Sequence, residues 1–135
     1  MPTPEHLNPP GLFHLPGFSQ IVVTSGGRTA HIAGQGAFDE KMNLIGKGDL
    51  HAQTVQAFRN LRTALAGLGV GPERVVSSTM YVVDLDDERA ATFVRAMNEA
   101  LDGQPFPPNA STLVGVTRLG MAGMLVEISA VAVID

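Results

Sequence analysis

Two short stretches near the end of the chain hold the side chains best suited to chemistry. In LVEIS, residues 125–129, a single carboxylate, Glu127, stands inside an apolar run. A carboxylate withdrawn from water is costly unless it is paired or hydrated. Such a group can hold a water molecule or move a proton. The alternative is a structural hydrogen-bond partner at a subunit interface. In FPPNASTLVGVTRLG, residues 106–120, a proline-flanked loop leads into a strand with small polar residues: Asn109, Ser111 and Thr112. Its only formal charge, Arg118, comes at the far end. Ser111 and Thr112 can bond a ligand, and can equally bond the loop backbone. Neither has a histidine or lysine beside it in sequence to activate it as a nucleophile.

The other polar groups read more plainly. His6, His14, His31 and His51 include no i, i+4 pair of the kind that holds a metal on a helix. His31 shares a strand face with Thr29 and Ala33, and is read first as a partly exposed strand residue, second as a group near a pocket. Arg28 follows a Gly-Gly turn and reads as a solvated charge. GKGD, residues 46–49, opens a helix whose N-terminus favours anions. It lacks the spacing of a phosphate loop, and Asp49 would repel a phosphate.

Composition narrows the function classes. The chain has 135 residues, which suits one domain over 1–135, with residues 1–17 as an extended, proline-rich arm. The net charge is −4 and the nine Lys and Arg are scattered, so no basic stripe marks a nucleic-acid surface. With one Tyr and six Phe there is no aromatic platform on which bases would stack. No apolar run approaches the ~20 residues that cross a bilayer, and residues 1–18 lack the pattern of a signal peptide. Without cysteine there is no disulfide and no thiolate site. That fits a reducing compartment, so a cytoplasmic location is expected.

The elements that must position these groups follow from periodicity. FSQIVVTSGGRTAHIAGQ reads as two strands, about 19–24 and 29–34, hairpinned at Gly26-Gly27, because such turns need positive φ. A short strand is expected near residues 43–46. DLHAQTVQAFRNLRTALAGLG is a helix capped by Asp49. Its stripe is Val55, Phe58, Leu61, Leu65 and Leu68, and Gly69 stops it. ERVVSSTMYVVDL is a strand. DDERAATFVRAMNEAL is a second helix, capped by Asp86 or Asp87, with Ala90, Phe93, Val94, Met97 and Leu101 as its stripe. STLVGVTRL and MLVEISAVAVID are the last two strands, joined in hairpin fashion near residues 120–123. The order is β-β-(β)-α-β-α-β-β: an α/β (α+β) chain with one mixed sheet and both helices on one face. Along the last strand Val126, Ile128, Ala130, Ala132 and Ile134 point one way, and Leu125, Val131 and Val133 the other, with Glu127 and Ser129 between them. A sheet apolar on both faces needs both covered. The helices cover one, so a second copy of the chain is expected on the other.

This order, with GFSQIVV, IAGQGAFDEKMNLIGKGDLHAQTVQAFRNLRTALAGLG, VVSSTMYVVDLDD and PPNASTLVGVTRLGMAGMLVEISAVAV, resembles the Rid family of reactive-intermediate (enamine/imine) deaminases, also called the YjgF family. The resemblance runs from about residue 16 to 134. It implies a chorismate-mutase-like fold and a homotrimer with a small-molecule pocket in each cleft between subunits. It also implies hydrolysis of 2-imino acids to 2-oxo acids and ammonia, with no metal and no cofactor. In that pattern an arginine near the start of the penultimate strand grips the substrate carboxylate. A glutamate on the last strand orients water, and backbone groups complete the pocket.

Carried over residue by residue, Glu127 matches the glutamate. Ser111 stands where the pattern has its arginine, and Arg118 matches a different position. Phe18 replaces the tyrosine of the N-terminal motif. Ala33 replaces a serine ahead of Gly34 and Gln35, which are kept. Phe18, Ala33, Gly34, Gln35, Ser111, Thr112 and Leu113 are therefore the expected substrate-binding set, with Glu127 catalytic. A hydrogen bond to a charged group contributes ~1.5–3 kcal/mol against ~1 for a neutral pair. Losing a forked arginine should weaken carboxylate binding by about tenfold or more. Poor activity on 2-imino acids is thus expected. The alternative is a trimer that binds a small metabolite without turning it over.

Overall fold

The computed structural model describes residues 3–135. Strands β1 (Glu5–Leu7), β2 (Ile21–Val23) and β3 (Arg28–Gln35) lead to helix α1 (Leu50–Ala66). A 3-10 turn (Pro72–Arg74) then enters β4 (Val75–Val83), α2 (Asp87–Ala100), β5 (Ala110–Val116) and β6 (Val126–Ile134). The caps are those the sequence asks for. Asp49 accepts a hydrogen bond from the Ala52 N–H at 3.0 Å, and Asp86 from the Arg89 N–H at 2.7 Å. Phe58, Leu61 and Leu65 of α1 are buried. Leu68 lies past the helix end and is exposed. The helix stops at Ala66, before Gly69, which does take a positive φ of 76°. On α2, Phe93 is buried with Ala96 and Ala100, but Val94 is exposed. The buried stripe of α2 is narrower than expected because Val94 lines an open cleft beside residues 15–18 and is not covered by the core.

A four-stranded sheet has the order β3-β6-β4-β5. β6 is antiparallel to both β3 and β4, while β4 and β5 are parallel and joined through α2. A parallel pair needs such a crossover. Both hairpins expected from the sequence are absent from this arrangement. β5 and β6 are separated by β4. β2 pairs with β1, from Glu5↔Val23 to Leu7↔Ile21, so the expected arm contains a strand of its own. Gly26 and Gly27 have the positive φ of a turn, 67° and 69°. Beyond them, β3 runs along β6 from Arg28↔Ile134 to Gln35↔Ile128. β6 offers β3 a long apolar partner, whereas β2 spans three residues. The short strand expected near residues 43–46 is a single bridge, Phe38↔Leu44.

Both helices pack on one face of the sheet. Phe58 sits 5.6 Å from Phe93 and 5.8 Å from Phe106, ring centre to ring centre. Val82, Val126, Ile128, Ala130 and Ala132 lie beneath them. Two side-chain amides, the buried Gln53 and the half-buried Asn60, fasten the loops. Gln53 donates to Gly46 O and Gly123 O and accepts from the Leu125 N–H. Asn60 donates to Gly36 O and Phe38 O, both at 2.9 Å.

The second face corrects the expectation of an apolar surface. Cross-strand register places Thr79 beside Thr112 and Ser129, and Ser77 beside Val131. Tyr81 lies beside Val114 and Glu127. A single strand read alone looked apolar on both sides. Its neighbours bring hydroxyls to the second side, so the face is mixed, and Ser77, Thr79, Tyr81, Thr112, Glu127, Ser129 and Val131 remain half-buried or exposed.

Candidate functional site

The residues singled out in the sequence fall on two sides of one sheet. Directly paired residues share a face. Ser111 pairs with Ser78, and Leu113 with Met80; both pairs therefore point to the helix side. Glu127 pairs with Tyr81 and Thr112 with Thr79, and these point to the open side.

On the helix side, a cleft of about 390 Å³ lies between α2, the start of β5 and residues 15–18. Phe18 forms one wall. It bridges to Asn109 in parallel fashion and stacks on Phe13 with ring centres 5.4 Å apart. Gly17, at φ 76°, allows the tight turn that seats this segment against the backbone of Phe106. Asn109 is 1% exposed and fully engaged, accepting from the Ser78 hydroxyl at 2.7 Å and donating to Pro107 O. Ser111 and Leu113 complete the floor. Among the described residues no Lys, Arg, His, Asp or Glu lines this cleft.

On the open side, Glu127 is half-buried. Among the described residues its carboxylate has no hydrogen-bond or ion-pair partner. Its position is tied to Gly34: a Cβ built there would lie 2.6 Å from the Glu127 carboxyl carbon. The glycine is therefore required by the close approach of a side chain and not by backbone conformation. The register of β3 against β6 slips between Ile32 and Gln35, so Ala33 and Gly34 form a bulge. Gln35 spends its amide on Ala33 O at 2.9 Å. A hollow of about 240 Å³ nearby is walled by His31, Ser77, Thr79 and Ser129, which places His31 on this face and away from the cleft.

Several other expectations can be placed. Arg28 donates its Nε–H to Asp135 O, so it braces the chain end beside the turn. Asp49 is occupied as a helix cap. His51 pairs with Glu99 across α1 and α2. Among the described residues no group of three or more His, Asp and Glu could hold a metal ion, and no helix is long and apolar enough to cross a membrane.

The sequence reading missed two features. Asn98, near the end of α2, reaches the cleft. Its spacing, four residues after Val94 and three before Leu101, could have placed it on that side of the helix. His6 Nδ1 lies 2.7 Å from Ser19 Oγ, a contact created by the pairing of β1 with β2. Ser19 is 1% exposed, so the pair fastens the arm and offers no accessible nucleophile.

The fold and the two groups of residues define an α+β domain of chorismate-mutase-like form. A family model described as Endoribonuclease L-PSP, that of the Rid/YjgF family, matches residues 14–134, and the chain belongs to that family. A RutC family protein from Synechocystis is 35% identical over 103 residues, 76% of this chain and 75% of the relative. Another from Pyrococcus horikoshii is 34% identical, covering 85% of each chain. Among solved structures, a Rid-family protein of unknown function from Yersinia pestis has a TM-score of 0.80 at 32% identity. It covers 98% of this chain and 99% of its own. RidA from an Antarctic Psychrobacter has a TM-score of 0.63 at 29% identity, over 90% of this chain and 92% of its own.

Proposed function

We propose that the chain forms a homotrimer whose interfacial clefts bind a small reactive imine or enamine. Glu127 promotes hydrolysis or tautomerisation of that ligand without metal or cofactor. The observation that carries this reading is the split site. Ser111, Leu113 and Phe18 open to the helix side, while Glu127 and Gly34 sit on the other side of the same sheet. A site that uses both groups must draw them from two copies of the chain. The uncovered second face supplies a surface on which copies can meet.

The chemistry needs little equipment. Glu127 takes a proton from water as the oxygen adds to the imine carbon, giving a tetrahedral carbinolamine. The same carboxyl group returns that proton to nitrogen, then takes the carbinolamine hydroxyl proton and passes it to nitrogen as the C–N bond breaks, so that ammonia leaves and a carbonyl product remains. Gly34 leaves room for the carboxylate, and backbone groups beside Gly34 and Leu113 orient the ligand. Ser111 offers a hydroxyl where a fixed positive charge would be needed for a 2-imino acid.

Ammonia release tests the reading. With 2-iminobutyrate generated in situ, little or no acceleration over the spontaneous rate is expected. With imines of uncharged carbonyl compounds, acceleration is expected, and Glu127→Gln should lower it by about 10²-fold or more. Sedimentation should show a trimer for both proteins. A monomer at micromolar concentration, or turnover untouched by Glu127→Gln, would refute the proposal. The uncharged cleft also favours a second reading, a trimer that binds a metabolite without turnover, in which no imine is accelerated. The endoribonuclease activity in the family model's name finds no support in a net charge of −4 with scattered basic residues.

A further inference from the structure

We infer that the helix-side cleft selects a neutral, mainly apolar ligand carrying one group that both donates and accepts hydrogen bonds, such as a primary amide or an uncharged imine. The inference rests on the proposed function only in taking this cleft as the ligand site. Three observations carry it. First, the walls are apolar: Phe18, Met80, Phe93, Met97 and Leu113 surround the space. Second, among the described residues of one chain no charged side chain lines it, so a ligand carboxylate would lose water and gain no cation from these walls. Third, of the three polar side chains at its surface, Asn109 is spent within the protein. The Ser111 hydroxyl and the Asn98 carboxamide have no hydrogen-bond partner among the described residues. They stand on facing elements, β5 and α2, and both are half-buried.

A hydroxyl and a carboxamide can each donate and accept. Together they match a neutral C=O, C=N or N–H group better than an anion, which would use only their donor capacity. The volume, about 390 Å³, lies at the small end of the roughly 300–1,000 Å³ typical of small-molecule pockets. A six-membered ring with one polar substituent is therefore a suitable probe.

The test compares cyclohexanecarboxamide with cyclohexanecarboxylate, equal in shape and different in charge, titrated into the full-length protein by NMR. The expected result is saturable binding of the amide, with shifts at Phe93, Ser111 and Leu113. The carboxylate should bind on the order of tenfold more weakly, or less tightly still. Ser111→Arg should reverse the preference, and Ser111→Ala should weaken the amide alone. Equal binding of the two probes, tighter binding of the carboxylate, or binding of neither would overturn the inference. The wild-type comparison decides even if Ser111→Arg does not fold. If the amide binds but no imine is turned over, the proposed function fails and the selectivity stands. If neutral imines are turned over while the carboxylate binds equally well, the selectivity alone fails.

Discussion

Gly34→Ala is the sharpest perturbation the structure offers. The added Cβ would lie 2.6 Å from the carboxyl carbon of Glu127 and 2.8 Å from its Cγ. Ordinary contact begins near 3.4 Å and Glu127 Oε1 lies nearer still, so the carboxylate must retreat by more than about 1 Å. The obstruction is the end of a flexible side chain, and Gly34 is not among the positive-φ glycines, so no backbone strain accompanies the change. Folding stability should stay within about 1 kcal/mol of wild type, because the loss of unfolded-state freedom at the glycine contributes ~0.4–1 kcal/mol in the opposite direction. Turnover should respond much more strongly. A misplacement of ~1 Å in a reacting group can cost on the order of 10²-fold in rate. The assay is ammonia release from an uncharged imine, with thermal unfolding measured on the same preparation. The carboxyl ¹³C signal of Glu127 gives a direct readout of displacement. Gly120→Ala is the control: a Cβ there meets nothing within 4 Å, and no change is expected. Full turnover with an unmoved carboxyl signal in Gly34→Ala would refute the reasoning.

Other expectations concern the scaffold. Asn60→Ala removes the donor to Gly36 O and Phe38 O and should cost about 1–3 kcal/mol in chemical denaturation. Phe58→Ala empties the junction with Phe93 and Phe106 and should cost about 3–5 kcal/mol by the same measurement. Asp39 should titrate below its ordinary 3.8, because the Asn43 backbone N–H, the Asn43 side chain and the Lys41 N–H all donate to it. Its folded value is depressed, so its contribution is full above the ordinary value and is lost as pH falls through the depressed one. NMR titration should show Asn43→Ala returning Asp39 toward 3.8.

The parts of the fold that depend on near neighbours were legible from the start. Asp49 and Asp86 announce their helices because a cap needs only the first turn. Phe58, Leu61 and Leu65 announce the buried side of α1 because helical periodicity is local. The strands were found, but their partners were not. Gly26 and Gly27 do adopt turn conformations, yet β3 goes on to pair with β6. β5 and β6 look like a hairpin in sequence, and β4 takes the place between them. Val94 looked buried because spacing alone could not reveal how narrow the contact of α2 is.

The amino-acid sequence by itself determined the family, the helices and which residues alternate along each strand. It also set the expectation that Ser111 stands, without a charge, at the position where the family pattern has its carboxylate-binding arginine. Only the tertiary structure decided that Ser111 and Glu127 lie on opposite faces, that Gly34 makes space for the carboxylate, and that Asn98 meets the cleft. The reason is that side-chain alternation is a property of one strand, whereas the face two strands share is set by their register. That register comes from pairing between residues far apart in the chain.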